Sequence, residues 1–283
     1  MKTYTIGLYE KAMPSSLNWK EKLSAAKAAN YDYVEISIDE TPEKLARLDM
    51  PKEERLELVQ TMYEVGVPIR TMCLSGHRKY PLGSNDPATL ARGLEIMEKA
   101  ILLADDLGIR MIMLAGYDVY YEESTPETQA RFAENLRKAV MMAAAYGIRL
   151  DFETMETDFL NTVWKAMFHI KKINSAFLGV YPDSGNIMNA AVSYHSDVYE
   201  DLKSSKGHIT SLHLKETVPG KFREIPYGTG HVNFEKMIET AWDLGVRMYV
   251  TECWYVGNEK WQEELCETNA TMRTILERMQ SEN

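Results

Sequence analysis

Cysteine is scarce in this sequence. Cys73, Cys253 and Cys266 are odd in number and widely spaced. No CxxC pair exists, which argues against both a disulfide framework and a thiolate zinc site. No apolar run reaches the length of a membrane span. The opening MKTYTIGLYEKAMP has neither an apolar stretch nor a cleavage signal, so a reducing cytoplasm is the expected compartment. Basic residues are also in deficit. Lys and Arg number 32 against 42 Asp and Glu, a formal net charge of -10. That balance argues against nucleic acid or an anionic membrane as the main partner, though it leaves room for a local pocket for a small anion. No glycine-rich dinucleotide fingerprint follows the first apolar run, and no Pro/Gly/Ser-rich linker divides the chain. One domain over residues 1–283 is therefore expected.

What is present is a beat of eight. Short apolar runs recur at TIGLYE (5–10), YVEISI (33–38), IRTMCLS (69–75), RMIMLAG (110–116), RLDFET (149–154), FLGVYPD (177–183), ITSLHLKE (209–216) and MYVTEC (248–253). Amphipathic stretches lie between them. Several open with Pro or an Asn cap and close with Gly, the usual helix punctuation. After the fifth and sixth runs the helical pattern is weaker, and helices are expected over 161–174 and 195–207. The joins VGVPIR, LGIRMI, YGIRLD and LGVRMY repeat a glycine just before a β-branched opener. Glycine there suits the left-handed residue that stops a helix. Within the runs strict alternation is missing, as in parallel strands buried on both faces. Eight such units in 283 residues predict an α/β fold, a (β/α)8 TIM barrel in a single domain.

In such a barrel the chemistry sits at the C-terminal ends of the strands. The last four runs end in Glu153, Asp183, His213 and Glu252. A single strand-end carboxylate is most often solvated or salt-bridged. Four ligand-type residues at one level of successive strands are a different matter, because three packed carboxylates repel one another and are costly to bury alone. A divalent cation relieves both problems. The O3N donor set suits Zn, Mn, Mg or Co.

These residues, with GLYEKAMP, VEISIDET, MCLSGHRKYPLGS, LAGYDVYY, YPDSGN and HLKETVPGKF, resemble the xylose-isomerase-like TIM-barrel superfamily. Within it they resemble the L-ribulose-5-phosphate (L-xylulose-5-phosphate) 3-epimerases of L-ascorbate utilisation. The resemblance implies Glu153, Asp183, His213 and Glu252 as ligands of one metal ion, and Glu153 and Glu252 as the catalytic acid/base pair. It implies a small sugar phosphate as the partner molecule, and a homodimer is compatible with this barrel class. Neighbouring epimerases of free ketoses carry a histidine three residues after the metal aspartate. Here that position is Asn186, which counts against a free ketose.

Inverting C3 of a 2-ketose requires removing a weakly acidic proton next to a carbonyl and returning one to the other face. A metal ion stabilises the resulting enediolate. Two carboxylates reaching from opposite ends of the ligand arc supply the proton transfers. For the 5-phosphate, the basic SGHRK after the third strand is the leading cluster. Arg78 can take phosphate oxygens bidentately, with Ser75 and His77 as hydrogen-bond donors. Lys215, Lys221 and Arg223 are secondary candidates, with Lys11 behind them. Glu35 stays open between bonding within the barrel and touching substrate. His231, in the GTGHVNF loop, is read as solvent-facing and Asn233 as a helix cap. His169, His195 and His208 need no ligand role.

Three alternatives share parts of this pattern. An aldose–ketose isomerase of the same barrel type would use the same ions at a different substrate register. A metal-dependent barrel endonuclease would need a basic face, which the charge opposes. A non-catalytic sugar-phosphate-binding barrel would bind without turnover.

Overall fold

The computed structural model describes residues 3–281. Its strands and helices alternate from the start: β1 Thr5–Tyr9, α1 Trp19–Ala28, β2 Tyr33–Ile38, α2 Pro42–Ala46, α3 Lys52–Val65, β3 Ile69–Leu74, α4 Pro87–Leu107, β4 Met111–Ala115, α5 Pro126–Ala145 and β5 Arg149–Glu153. The second half continues with α6 Val163–Ile173, β6 Leu178–Val180, α7 Ser184–Tyr194, α8 Val198–Lys203, β7 Ser211–Leu214, α9 Phe234–Asp243, β8 Met248–Thr251 and α10 Trp261–Ser281.

All strand pairs between neighbours are parallel, in the order β6-β5-β4-β3-β2-β1-β8-β7. Among the described residues, the two ends of that order are joined by isolated bridges, Val180 with Ile209 and Asp183 with His213. The result is a (β/α)8 barrel with its seam between β6 and β7.

Local chemistry explains the elements. Asn18 opens α1 with a reciprocal capping box to Glu21, and Thr125 and Pro126 open α5. The repeated glycines at 66, 108, 147 and 245 all sit at positive φ, from 65° to 93°, which lets the chain leave a helix and turn into the next strand. Two cores result. Tyr9, Tyr33, Cys73, Met113, Tyr181 and Val250 fill the barrel interior. A much larger apolar layer, including Ile6, Ile36, Ile112, Leu150 and Leu212, joins the outer faces of the strands to the helices.

One helix differs from expectation. After β6 the main helix is not over 195–207; it begins at Ser184, straight from the rim. Asp183 itself is the cap, accepting the backbone N–H of Asn186 at 2.7 Å, so the helix starts where the sequence looks most like a loop. The 195–207 segment holds only the short α8, and His195 is the left-handed residue that ends α7.

Candidate metal centre and substrate cavity

Two of the four groups lie within strands and two lie one to three residues beyond a strand end. Glu153 is the last residue of β5, Asp183 caps α7, His213 lies in β7, and Glu252 follows β8. One ligand atom from each of the four lies within 4.8 Å of the others, and all four residues are buried. His213 and Asp183 are completely inaccessible, Glu153 and Glu252 nearly so.

The ring of His213 is held in one orientation. Its Nε2 lies 2.7 Å from Glu35 Oε1, and Glu35 Oε2 accepts from the Thr71 hydroxyl at 2.8 Å. That bond leaves Nδ1 facing the carboxylates, 3.1 Å from Glu252 Oε2, 3.8 Å from Glu153 Oε1 and 3.9 Å from Asp183 Oδ2. A carboxylate behind a histidine is the usual way to fix the tautomer of a metal ligand. So Glu35, which the sequence leaves open, bonds within the barrel.

The electrostatics follow from burial. Burial pushes the carboxyls of Glu153 and Asp183 up, and the neighbouring Glu252 adds to it. Burial also opposes ionisation of Glu252, but Lys215 and His213 hold that carboxyl well below the usual range. Burial would lower His213, yet Glu35 and Glu252 keep it raised. Asp183 Oδ2 is buried with no hydrogen-bond donor. Three carboxylates, one oriented imidazole and one orphaned oxygen fit a divalent cation.

A cavity of about 200 Å³ opens beside this cluster. Glu153, Glu252 and Lys215 line it, and so do Ser75, Arg78 and Arg223. The two arginines are gathered around Glu156. Arg223 Nη2 lies 3.1 Å from Glu156 Oε1, and Tyr117 donates to Glu156 Oε2 at 2.7 Å. Arg78 Nη2 reaches the Tyr117 hydroxyl at 3.5 Å, and its guanidinium lies over the Tyr120 ring. Arg78 Nε is buried without an acceptor. Lys11 lines the cavity but is tied to Asp39 at 2.5 Å.

Two candidates sit elsewhere. His77 is buried behind the wall, its Nε2 3.0 Å from the Gly93 carbonyl of α4. Burial pushes its pKa down to about 4. The expectation that it donates to substrate is corrected: it fastens the loop after β3 to α4. Lys215 is placed among the carboxylates and not with the arginines. The bland readings agree with the structure for His169, packed among Phe132, Phe152 and Phe159. Asn233 caps α9. His231 departs from the solvent-facing expectation: it is half-buried and pairs with Thr217 at 2.9 Å, and Glu216 pins its loop through the backbone N–H groups of Gly228 and Val232.

Sequence reasoning missed Tyr9, Cys73, Met155 and Trp254 as cavity walls, and Glu156 as the arginine partner. Trp254 was within reach: it lies two residues after Glu252 and so shares its face. Nothing in the local sequence marks Glu156.

Comparison with known proteins agrees with this architecture. The profile of the xylose isomerase-like TIM barrel family matches residues 23–275. The L-ribulose-5-phosphate 3-epimerase UlaE of Escherichia coli O157:H7 is 44% identical over 254 residues, covering 89% of this chain and 88% of that protein. The UlaE of Shigella sonnei strain Ss046 matches equally. A solved L-ribulose 3-epimerase superposes with a TM-score of 0.80 at 20% identity, over 99% of this chain and 97% of that one. A D-allulose 3-epimerase from Methylomonas sp. also gives 0.80, at 16% identity over 97% and 99%. At such identities these structures speak to the fold alone.

Proposed function

The chain belongs to the xylose isomerase-like TIM barrel family, and from that premise we propose that it is a sugar-phosphate 3-epimerase, an isomerase that interconverts L-ribulose 5-phosphate and L-xylulose 5-phosphate. The observation that carries the reading is the Glu153–Asp183–His213–Glu252 cluster opening onto a cavity that also holds two arginines. The 44% identity to a curated pentulose-phosphate epimerase supports the same substrate class.

Glu153, Asp183, His213 and Glu252 would hold one divalent ion of the Zn, Mn, Mg or Co type. When bound, that ion draws electron density from the C2 carbonyl and so acidifies the C3 proton. The chain's residues do the rest. Glu153 and Glu252 stand at the two ends of the ligand arc and face the cavity. One glutamate enters ionised and takes the C3 proton; the other enters as the neutral acid and gives its proton to the opposite face of the planar enediolate, so the two exchange states in each turnover. Which acts first depends on which epimer enters. Glu35 keeps the His213 ring from turning. Arg78 and Arg223, which line the same cavity, receive the 5-phosphate, and Ser75 contributes a hydroxyl. Their charge is the reason a phosphorylated sugar is preferred to a free one.

In this reading the enzyme works in the cytoplasm, as a homodimer, with no nucleic-acid partner. Among the described residues no helix is long and apolar enough to cross a membrane.

The test is to run the metal-loaded protein on L-ribulose 5-phosphate in deuterium oxide and locate the label by NMR. Deuterium at C3 with formation of L-xylulose 5-phosphate is expected. An aldose as product, with its new hydrogen at C2 and no label at C3, would make the protein an aldose–ketose isomerase instead.

A further inference from the structure

The cluster holds one buried charge that the two-glutamate scheme does not use. Lys215 follows His213 by two residues and is 4% exposed. Its ammonium lies 2.9 Å from Asn186 Oδ1, 3.1 Å from Asp183 Oδ1 and 3.5 Å from Glu252 Oε2. Asn186 is not free to turn. Its Nδ2 donates to the Thr154 carbonyl at 2.7 Å, so its oxygen must face the lysine. An amide outside the ligand set is thus pinned in place to seat an ammonium group.

Charge says what that seat is for. With one glutamate protonated as the acid, Asp183, the other glutamate and Glu35 behind His213 carry three negative charges; a divalent ion leaves one, and Lys215 cancels it. Removing the C3 proton then adds negative charge to the sugar inside a small enclosed cavity, where unmatched charge is costly. An ammonium has three N–H donors. Two are taken by Asn186 and Asp183, and the 3.5 Å separation from Glu252 is too long for a good bond. The third remains for the substrate, since Lys215 lines the cavity.

We propose that Lys215 is a third catalytic group, donating a hydrogen bond to the sugar oxygen that approaches between Asp183 and Glu252, and that Asn186 is its positioning residue. The proposal deepens the epimerase reading and rests on it. The C3–H bond breaks and its proton passes to a glutamate. The electron pair forms the C2–C3 double bond, and the carbonyl pair moves onto the C2 oxygen. Lys215 keeps its proton throughout and stabilises that oxygen charge. Protonation of C3 from the opposite glutamate reverses the electron flow.

The experiment compares wild type, Lys215→Met, Asn186→Ala and Asn186→Asp, each loaded with Mn2+ and checked for one metal per chain by elemental analysis. The substrate is L-ribulose 5-phosphate in deuterium oxide. Lys215→Met should lower kcat by roughly 10²- to 10³-fold, as loss of an oxyanion donor does, with KM nearly unchanged. Asn186→Ala should lower kcat less, and Asn186→Asp, which keeps an acceptor for the ammonium, should retain more activity than Asn186→Ala. Undiminished kcat in Lys215→Met overturns the proposal. So does a loss that vanishes once metal occupancy is restored, or a rise in KM at constant kcat. If Lys215→Met does not fold, Lys215→Ala is assayed with added ethylammonium: saturable recovery of kcat supports the proposal, and no recovery overturns it. A wild-type enzyme that exchanges no C3 proton removes the epimerase reading along with it. Wild-type exchange beside a fully active Lys215→Met removes the proposal alone.

Discussion

Glu10, just past β1, and Asp183, just past β6, are both sealed inside the protein, but they have opposite surroundings. Glu10 is met by cations from three directions. Lys22 comes from α1 at 3.3 Å, Lys44 from α2, and Arg47 at 2.5 Å, and the backbone N–H of Ser37 donates at 2.9 Å. Burial opposes its ionisation, yet Arg47 and Lys44 hold its carboxyl down to about 2. Asp183 stands beside two more carboxylates with one buried cation, Lys215, at 3.1 Å from Oδ1, and its Oδ2 is unsatisfied. The first arrangement completes itself from the chain's own residues, and it joins β1 and β2 to the helices outside them. The second cannot, and it marks a place for something brought from solution. Buried charge by itself says little about function. Whether the chain has already matched it says much more.

That contrast can be broken from either side. On the Asp183 side, Glu153→Gln or Glu252→Gln keeps an oxygen at the cluster but removes a proton carrier, and kcat should fall roughly 10³-fold or more in steady-state assays. Normal turnover in either variant would dissolve the acid/base assignment. On the Glu10 side, Glu10→Gln leaves buried cations unmatched and should cost about 3–5 kcal/mol of stability in urea unfolding. The sign of its pH dependence is fixed. The folded carboxyl lies at about 2 against an ordinary 4.5, so its contribution is full above about 4.5 and is lost as pH falls toward 2. The stability gap between wild type and variant should close across that window, and a constant gap would contradict the ion-pair account. Smaller effects sharpen the comparison. Arg78→Ala should raise KM for the sugar phosphate by about 2 kcal/mol, roughly 30-fold, with kcat held. An unchanged KM would move phosphate recognition elsewhere. Glu35→Gln should weaken metal affinity roughly 10- to 100-fold by chelator competition, because the imidazole loses its anchor. Unaltered affinity would leave Glu35 with packing alone.

How much of this was readable beforehand depends on the kind of interaction. The barrel was legible because glycine stops and apolar runs are local signals, and the strand starts at Tyr33, Ile69, Arg149 and Met248 agree with them. Glu153, Asp183, His213 and Glu252 were legible because one rule places strand ends together. Helix α7 was not, since its first residues, SGN, favour loops, and only the Asp183 side chain turns them into a helix start. Glu35 and Glu156 act through partners 178 and 67 residues away in sequence. Such pairings exist only once the chain has closed. His77 shows the converse. It sits in the right basic loop, but its ring is spent on a helix carbonyl that no spacing rule announces.

The cylinder of strands has one weak stave joint, between β6 and β7, where a regular ladder gives way to single bridges. Asp183 and His213 face each other across that joint. An ion gripped by both therefore acts as a clasp as well as a reagent, and part of its binding free energy goes into drawing the hoop shut. Stripping it out should loosen the wall along this line before any other, so amide hydrogens of β6 and β7 are where its loss would first be felt.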